Sequence, residues 1–164
     1  MPQPNSDPVV FLDMDGVICT RRGAGWSIHG RPLVHSCRRL PVRAIDPSTV
    51  LRLNELCAVT GAVVVISSTW RIRRDVPQIL RARGFTGRCH VDWCTDADGR
   101  LRSDEIARWL DAHGGPPHVV IDDKAGELVA FEHRLVLTSN YCGLRQCDVE
   151  RAVELLGEQG GSCN

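Results

Sequence analysis

Three short, predominantly apolar runs that each end on a polar residue constrain this chain more than any other feature: PVVFLD at 8–13, AVVVIS at 62–67 and HVVID at 118–122. Aliphatic, β-branched runs of this length, without polar alternation, predict strands buried on both faces. Two weaker runs, CHVDWC at 89–94 and RLVLT at 134–138, bring the predicted strands to five. Helical patterns lie between them. Asp46 before Pro47 predicts a cap and a first helical residue, and Gly61 predicts the end of that helix. Asp75 and Ser103 are predicted to cap two more helices, closed near Gly84 and Gly114, with Asp104 and Glu105 favouring the positive end of the second. Asp148 is predicted to cap a last helix, VERAVELL, closed by Gly157, with a disordered tail over 158–164. Strand–helix alternation predicts an α/β fold: a Rossmann-like, three-layer α/β/α arrangement around a central parallel five-stranded sheet. One domain, residues 1–157, accounts for it, with no internal repeat and no linker.

In such sheets ligands gather beyond the carboxyl ends of the strands. Asp13, Ser67 and Asp122 stand there. Asp13 and Asp15, two apart in extended backbone, present both carboxylates to one side, and Gly16 lets the chain turn away. Asp122 and Asp123 end another apolar run. Acids so gathered need a cation, and hard oxygen donors select Mg²⁺. A second DxDG, Asp96 to Gly99, follows a poor strand among polar residues and predicts only a turn.

These segments (FLDMDGV, VVVISSTWR, RSDEI and VVIDD, in that order) resemble the four motifs of the haloacid dehalogenase-like (HAD) phosphatase superfamily over about residues 8–140. The resemblance implies that Asp13 attacks phosphorus and that Asp15 serves as acid and then base. It implies a magnesium ion held by Asp13, the Asp15 carbonyl, Asp122 and Asp123. Ser67 is expected to donate to a phosphoryl oxygen. Arg102 is expected to supply the cation where the superfamily usually has lysine, with Lys124 as its competitor. Within the superfamily, ISSTWR, the Arg102–Leu110 stretch and LVLTSNYCGL resemble small capless members from nucleic-acid repair proteins. That narrower resemblance implies removal of phosphate from nucleic-acid ends, in the manner of a 3′-phosphatase.

Charge placement leans the same way. Residues 1–90 carry 13 arginines against 6 acids, and residues 91–164 carry 7 basic residues against 14 acidic ones. A flap is expected over residues 16–45, with six arginines and no acid, too short for a cap domain. Its Arg21 and Arg22, together with Ser68, Arg71 and Lys124, are expected to meet a polyanionic substrate, and Trp26 to stack on a terminal base. The plainer reading of the flap is a solvated basic loop with Trp26 packed beneath it. A mononucleotidase, another small-molecule or protein phosphatase of the superfamily, and a catalytically silent nucleic-acid-binding module remain the alternatives.

The longest nearly apolar run, 57–66, is about half of what a membrane-spanning helix needs. A polar, Pro-rich start shows no secretory signal. Expected, then, is a cytoplasmic monomer with reduced thiols and no membrane partner, working beside repair proteins. Cys89/Cys94 and Cys142/Cys147 share one spacing and His90 lies near the first pair, an arrangement open to zinc. The predicted topology puts the two pairs at opposite sheet edges, which argues against a shared ion.

Overall fold

The computed structural model describes residues 7–22, 44–96 and 101–160. Five strands form one sheet in the order β3-β2-β1-β4-β5, every pairing parallel. They are β1 (Val9–Leu12), β2 (Val63–Ile66), β3 (Arg88–Cys94), β4 (His118–Asp122) and β5 (Leu135–Leu137). The helices are α1 (Pro47–Thr60), α2 (Val76–Ala82), α3 (Arg102–Ala112) and α4 (Gln146–Gly160). The sequence-predicted α/β architecture is the one observed.

Register explains why the middle strands read as unbroken apolar runs. Leu12 pairs with both Ile66 and Ile121, and Phe11 with both Val65 and Val120. Alternate residues then feed opposite cores. Val10, Leu12, Val64, Ile66, Val119 and Ile121 join α1, α2 and α4 in the larger one. Val9, Phe11, Val63, Val65 and Val120 meet Ile106, Trp109 and Leu110 of α3 in the smaller, beside Leu128 and Phe131. Each fully buried aliphatic side chain contributes on the order of 2 kcal/mol. A polar substitution within β1 would therefore injure one core or the other whichever way it pointed.

Helix ends follow the sequence in part. Asp46 accepts from the Ser48 amide at 2.9 Å, and Gly61 closes α1 at φ 71°. A cap of this kind is worth about 1 kcal/mol. Three expectations need correction. Helix α3 starts at Arg102, with Leu101 at the capping position and Ser103 buried inside the first turn. Helix α4 starts two residues before Asp148, whose carboxylate reaches back to the Arg145 amide at 2.9 Å. It also runs through Gly157 to Gly160, so the tail is helical past its expected start. Reaching back from the third helical position satisfies an orphan donor as well as a forward cap does, so Asp148 need not stand at the boundary.

The first residues of the expected flap belong to the core. Val17, Ile18, Cys19 and Thr20 are all buried. The Met14 carbonyl takes hydrogen bonds from Ile18 and Cys19 at 2.9 and 2.8 Å, curling the chain into a tight turn. The loop after β5 clamps this turn: Leu144 N donates to Val17 O at 3.0 Å, and Arg21 N and Arg22 N donate to Asn140 O and Tyr141 O. Gly143, at φ 64°, is needed there, because a Cβ would come within 2.4 Å of Val17 O. No helix among the described residues is long and apolar enough to cross a membrane.

Candidate active site

The sheet sets the site one residue beyond its strand pairings. Asp13 N donates to Ile121 O and Ser67 N to Leu12 O, both at 3.0 Å, so Asp13, Ser67 and Asp122 form the next row across β1, β2 and β4. All three are buried. Strand parity puts this row on the α3 side, and α3 answers with a cation. The Arg102 guanidinium donates to Asp122 and lies 3.2 Å from Asp13 Oδ1, with Glu127 at 4.0 Å. Burial works against the Arg102 charge, but Asp13 and Asp122 outweigh it and hold the proton more firmly than usual.

One guanidinium does not balance three acids. Single carboxylate oxygens of Asp13, Asp122 and Asp123 lie within 4.8 Å of one another. Burial first, and then Asp122, push the Asp13 carboxyl up to about 7 despite Arg102 and a hydrogen bond from Ser68. Burial followed by Asp122 likewise raises Asp123, whose Oδ1 is buried with no hydrogen-bond partner. Excess negative charge, hard oxygen donors and a buried, unsatisfied carboxylate oxygen are what a divalent cation such as Mg²⁺ would satisfy. Gly16 makes the cluster possible. Its φ is 88°, and a Cβ there would fall 2.4 Å from Asp123 Oδ2.

Asp15 is not one of the three clustered carboxylates, though its charge acts on Asp13. Its Oδ1 accepts from the indole N–H of Trp70 at 3.1 Å, and Trp70 is fully buried. Sequence reading missed Trp70, although it lies inside the quoted ISSTWR. The Ser68 hydroxyl goes to Asp13, and Ser67 Oγ is buried with no partner.

Arg71 was expected at a substrate-facing rim, and that expectation needs correction. One of its nitrogens contacts both oxygens of Glu105, at 2.9 and 2.8 Å, and another donates to Ser67 O at 3.0 Å. Both side chains are about nine-tenths buried or more. Arg71 therefore ties the serine loop to the first turn of α3. Lys124 is exposed; its backbone amide, not its ammonium, contacts Asp122, at 2.9 Å. Arg21 and Arg22 are exposed at the root of the flap. Trp26 lies outside the described residues, as do residues 97–99 of the second DxDG.

A parallel sheet carrying an aspartate row at its carboxyl edge, DxDG turn on one strand and acid pair on the strand beside it, defines a HAD-type domain. The match to a family model agrees: residues 9–149 fit the HAD domain in Swiss Army Knife RNA repair proteins, and the chain belongs to that family. No curated protein and no solved structure gives a significant match.

Proposed function

We propose that this chain is a Mg²⁺-dependent phosphohydrolase that removes phosphate from nucleic-acid ends through an aspartyl-phosphate on Asp13. The observation that carries the reading is the buried row itself, with Arg102 touching Asp13 and Asp122 beside an unsatisfied Asp123. An Asp13 oxygen attacks phosphorus and forms the new P–O bond as the bond to the leaving oxygen breaks. Asp15 gives its proton to that oxygen, then takes one from the water that attacks the aspartyl-phosphate, freeing inorganic phosphate and the Asp13 carboxylate. Arg102 and the Ser67 hydroxyl receive the phosphoryl oxygens, and Ser68 aims the nucleophile. When bound by Asp13, Asp122, Asp123 and the Asp15 carbonyl, Mg²⁺ screens the negative charges that would otherwise repel each other.

Substrate size follows from what surrounds the row. Only residues 95–101 separate β3 from α3, too few for a cap. A site without a large cap domain suits a substrate that covers it, and the family is one of RNA repair proteins. Arg21 and Arg22, exposed and with their backbone amides held by the Asn140 and Tyr141 carbonyls, precede an arginine-rich segment of the sequence.

Phosphate release with Mg²⁺ from 3′- and 5′-phosphorylated RNA and DNA oligonucleotides, mononucleotides, a sugar phosphate and a phosphopeptide tests this. The oligonucleotides are expected to turn over fastest, with a preference that fades as salt rises. Equal turnover of mononucleotides would move the substrate assignment to a nucleotidase, and no release from any would end the enzyme assignment. Trp70→Phe keeps most of the buried ring and removes the donor to Asp15. A hydrogen bond that orients Asp15 is worth about 1.5 kcal/mol, so kcat should fall about tenfold with KM unchanged. Wild-type kcat would reduce Trp70 to a space-filling role.

A further inference from the structure

The β3 edge carries a cluster that the carboxylate row does not use. Val64 pairs with Cys89 and Ile66 with Cys94, so His90 to Trp93 are all set against Val65 alone. The strand bulges there, and bulges re-aim side chains. The Asp92 amide donates to His90 Nδ1 at 3.0 Å, and Trp109 Nε1 donates to Asp92 O at 3.1 Å. His113, at the end of α3, stacks on Trp109 with centroids 3.7 Å apart, and the His90 ring meets His113 edge-on at 5.1 Å. Single ligand atoms of His90, Asp92 and His113 lie within 4.8 Å of one another.

The contacts of His113 are the telling part. Its Nδ1 lies 2.6 Å from Trp109 O and its Nε2 lies 2.9 Å from Asp92 Oδ2. Both partners are acceptors, whereas a neutral imidazole has one N–H. The second contact therefore needs either a second proton or a metal ion. With Nδ1–H held by the carbonyl, the Nε2 lone pair is aimed at the carboxylate, as in histidines that ligate metals. Ligands about 2.0–2.1 Å from a tetrahedral zinc ion stand about 3.3 Å apart, so the pair needs to open by only a few tenths of an ångström. His90 Nδ1 also bears a lone pair, now shared with an amide hydrogen.

We propose that His90, Asp92 and His113 form a second metal site, selective for zinc-class ions over Mg²⁺. Two imidazoles and one carboxylate suit a borderline ion, whereas magnesium prefers an all-oxygen shell. Three protein ligands leave a fourth position open. Beside the cluster lies a cavity of about 450 Å³, lined by Asp92 and His113 with Trp93, Arg108 and Trp109, where water or an anionic ligand completes the coordination. The ion ties the bulged edge strand to the end of α3. None of this depends on the phosphohydrolase assignment.

Calorimetric titration of the full chain with Zn²⁺ in a buffer holding excess Mg²⁺, with the protein's thiols reduced, tests the site. Wild type and Asp122→Asn should each bind one ion here. His113→Ala and His90→Ala should each lose at least about tenfold in affinity, with unchanged far-UV circular dichroism in the His90 variant separating ligand loss from misfolding. Cobalt substituted for zinc should give visible bands without a thiolate charge-transfer band. The proposal is overturned if wild type takes up no zinc, if both histidine variants bind as wild type does, if Asp122→Asn abolishes binding, or if the cobalt spectrum shows sulfur ligation.

Discussion

Asp13→Asn is expected to lose at least about 10⁴-fold in phosphate release and, without metal, to become the more stable protein at neutral pH. The two effects have one cause. Asp13 is buried beside Asp122, and the folded state raises its carboxyl from 3.8 to about 7. A folded pKa above the unfolded one means that the native state binds the proton more tightly, so stability falls as pH rises between those values. Below about pH 4 nothing is lost; above about pH 7 the full penalty applies, up to about 4 kcal/mol at 1.36 kcal/mol per pKa unit. Asparagine removes the charge while keeping an acceptor for Ser68 and Arg102. Melting in EDTA should place the variant roughly 10 °C above wild type at pH 8, with the gap closing toward pH 4. Mg²⁺ should narrow the difference by stabilising wild type. A variant that melts lower than wild type at pH 8 in EDTA would show that Asp13 is not electrostatically strained, and wild-type turnover would remove it as nucleophile.

The legible part of this molecule is the part whose signal is local. Strands β1, β2 and β4 are apolar without interruption because both faces are covered, and strand ends locate Asp13, Ser67 and Asp122 once the sheet is parallel. Gly16 is legible for its turn, though not for its second service, the close approach of Asp123. What escaped the sequence was mostly pairing across distance. Trp70 reaches Asp15 across 55 residues, and Arg71 reaches Glu105 across 34. By sequence Arg71 and Arg102 look equally fit for an anion; only the packing of α3 on the smaller core shows that Arg71 turns to Glu105 and Arg102 to the aspartates. The β3 bulge was equally hidden. CHVDWC is a passable edge strand by composition, and only its pairing with β2 shows four residues facing one.

Arg102→Ala is the substitution expected to cost the fold most. Arg102 is buried with Asp13 and Asp122 as its two nearest acids. Removing one member of a buried ion cluster leaves the others uncompensated, typically at about 3–5 kcal/mol. The loss should be greatest in EDTA at pH 8 and smaller at pH 5, because protonation of Asp13 relieves the repulsion that Arg102 now offsets. Mg²⁺ should restore part of the melting temperature. Activity should fall chiefly through KM, since a phosphoryl oxygen loses its buried cation. Arg102→Lys restores a point charge but not the planar fork that spans two carboxylates. It should recover most of the stability and keep turnover within about tenfold of wild type, in line with the lysine that the superfamily usually places here. Lys124→Ala, by contrast, removes an exposed ammonium and leaves in place the backbone amide that contacts Asp122. It should stay within about 0.5 kcal/mol of wild-type stability. Were Lys124→Ala to raise KM more than Arg102→Ala does, the phosphate-binding cation would be the lysine, and Arg102 would serve only to hold the two aspartates together.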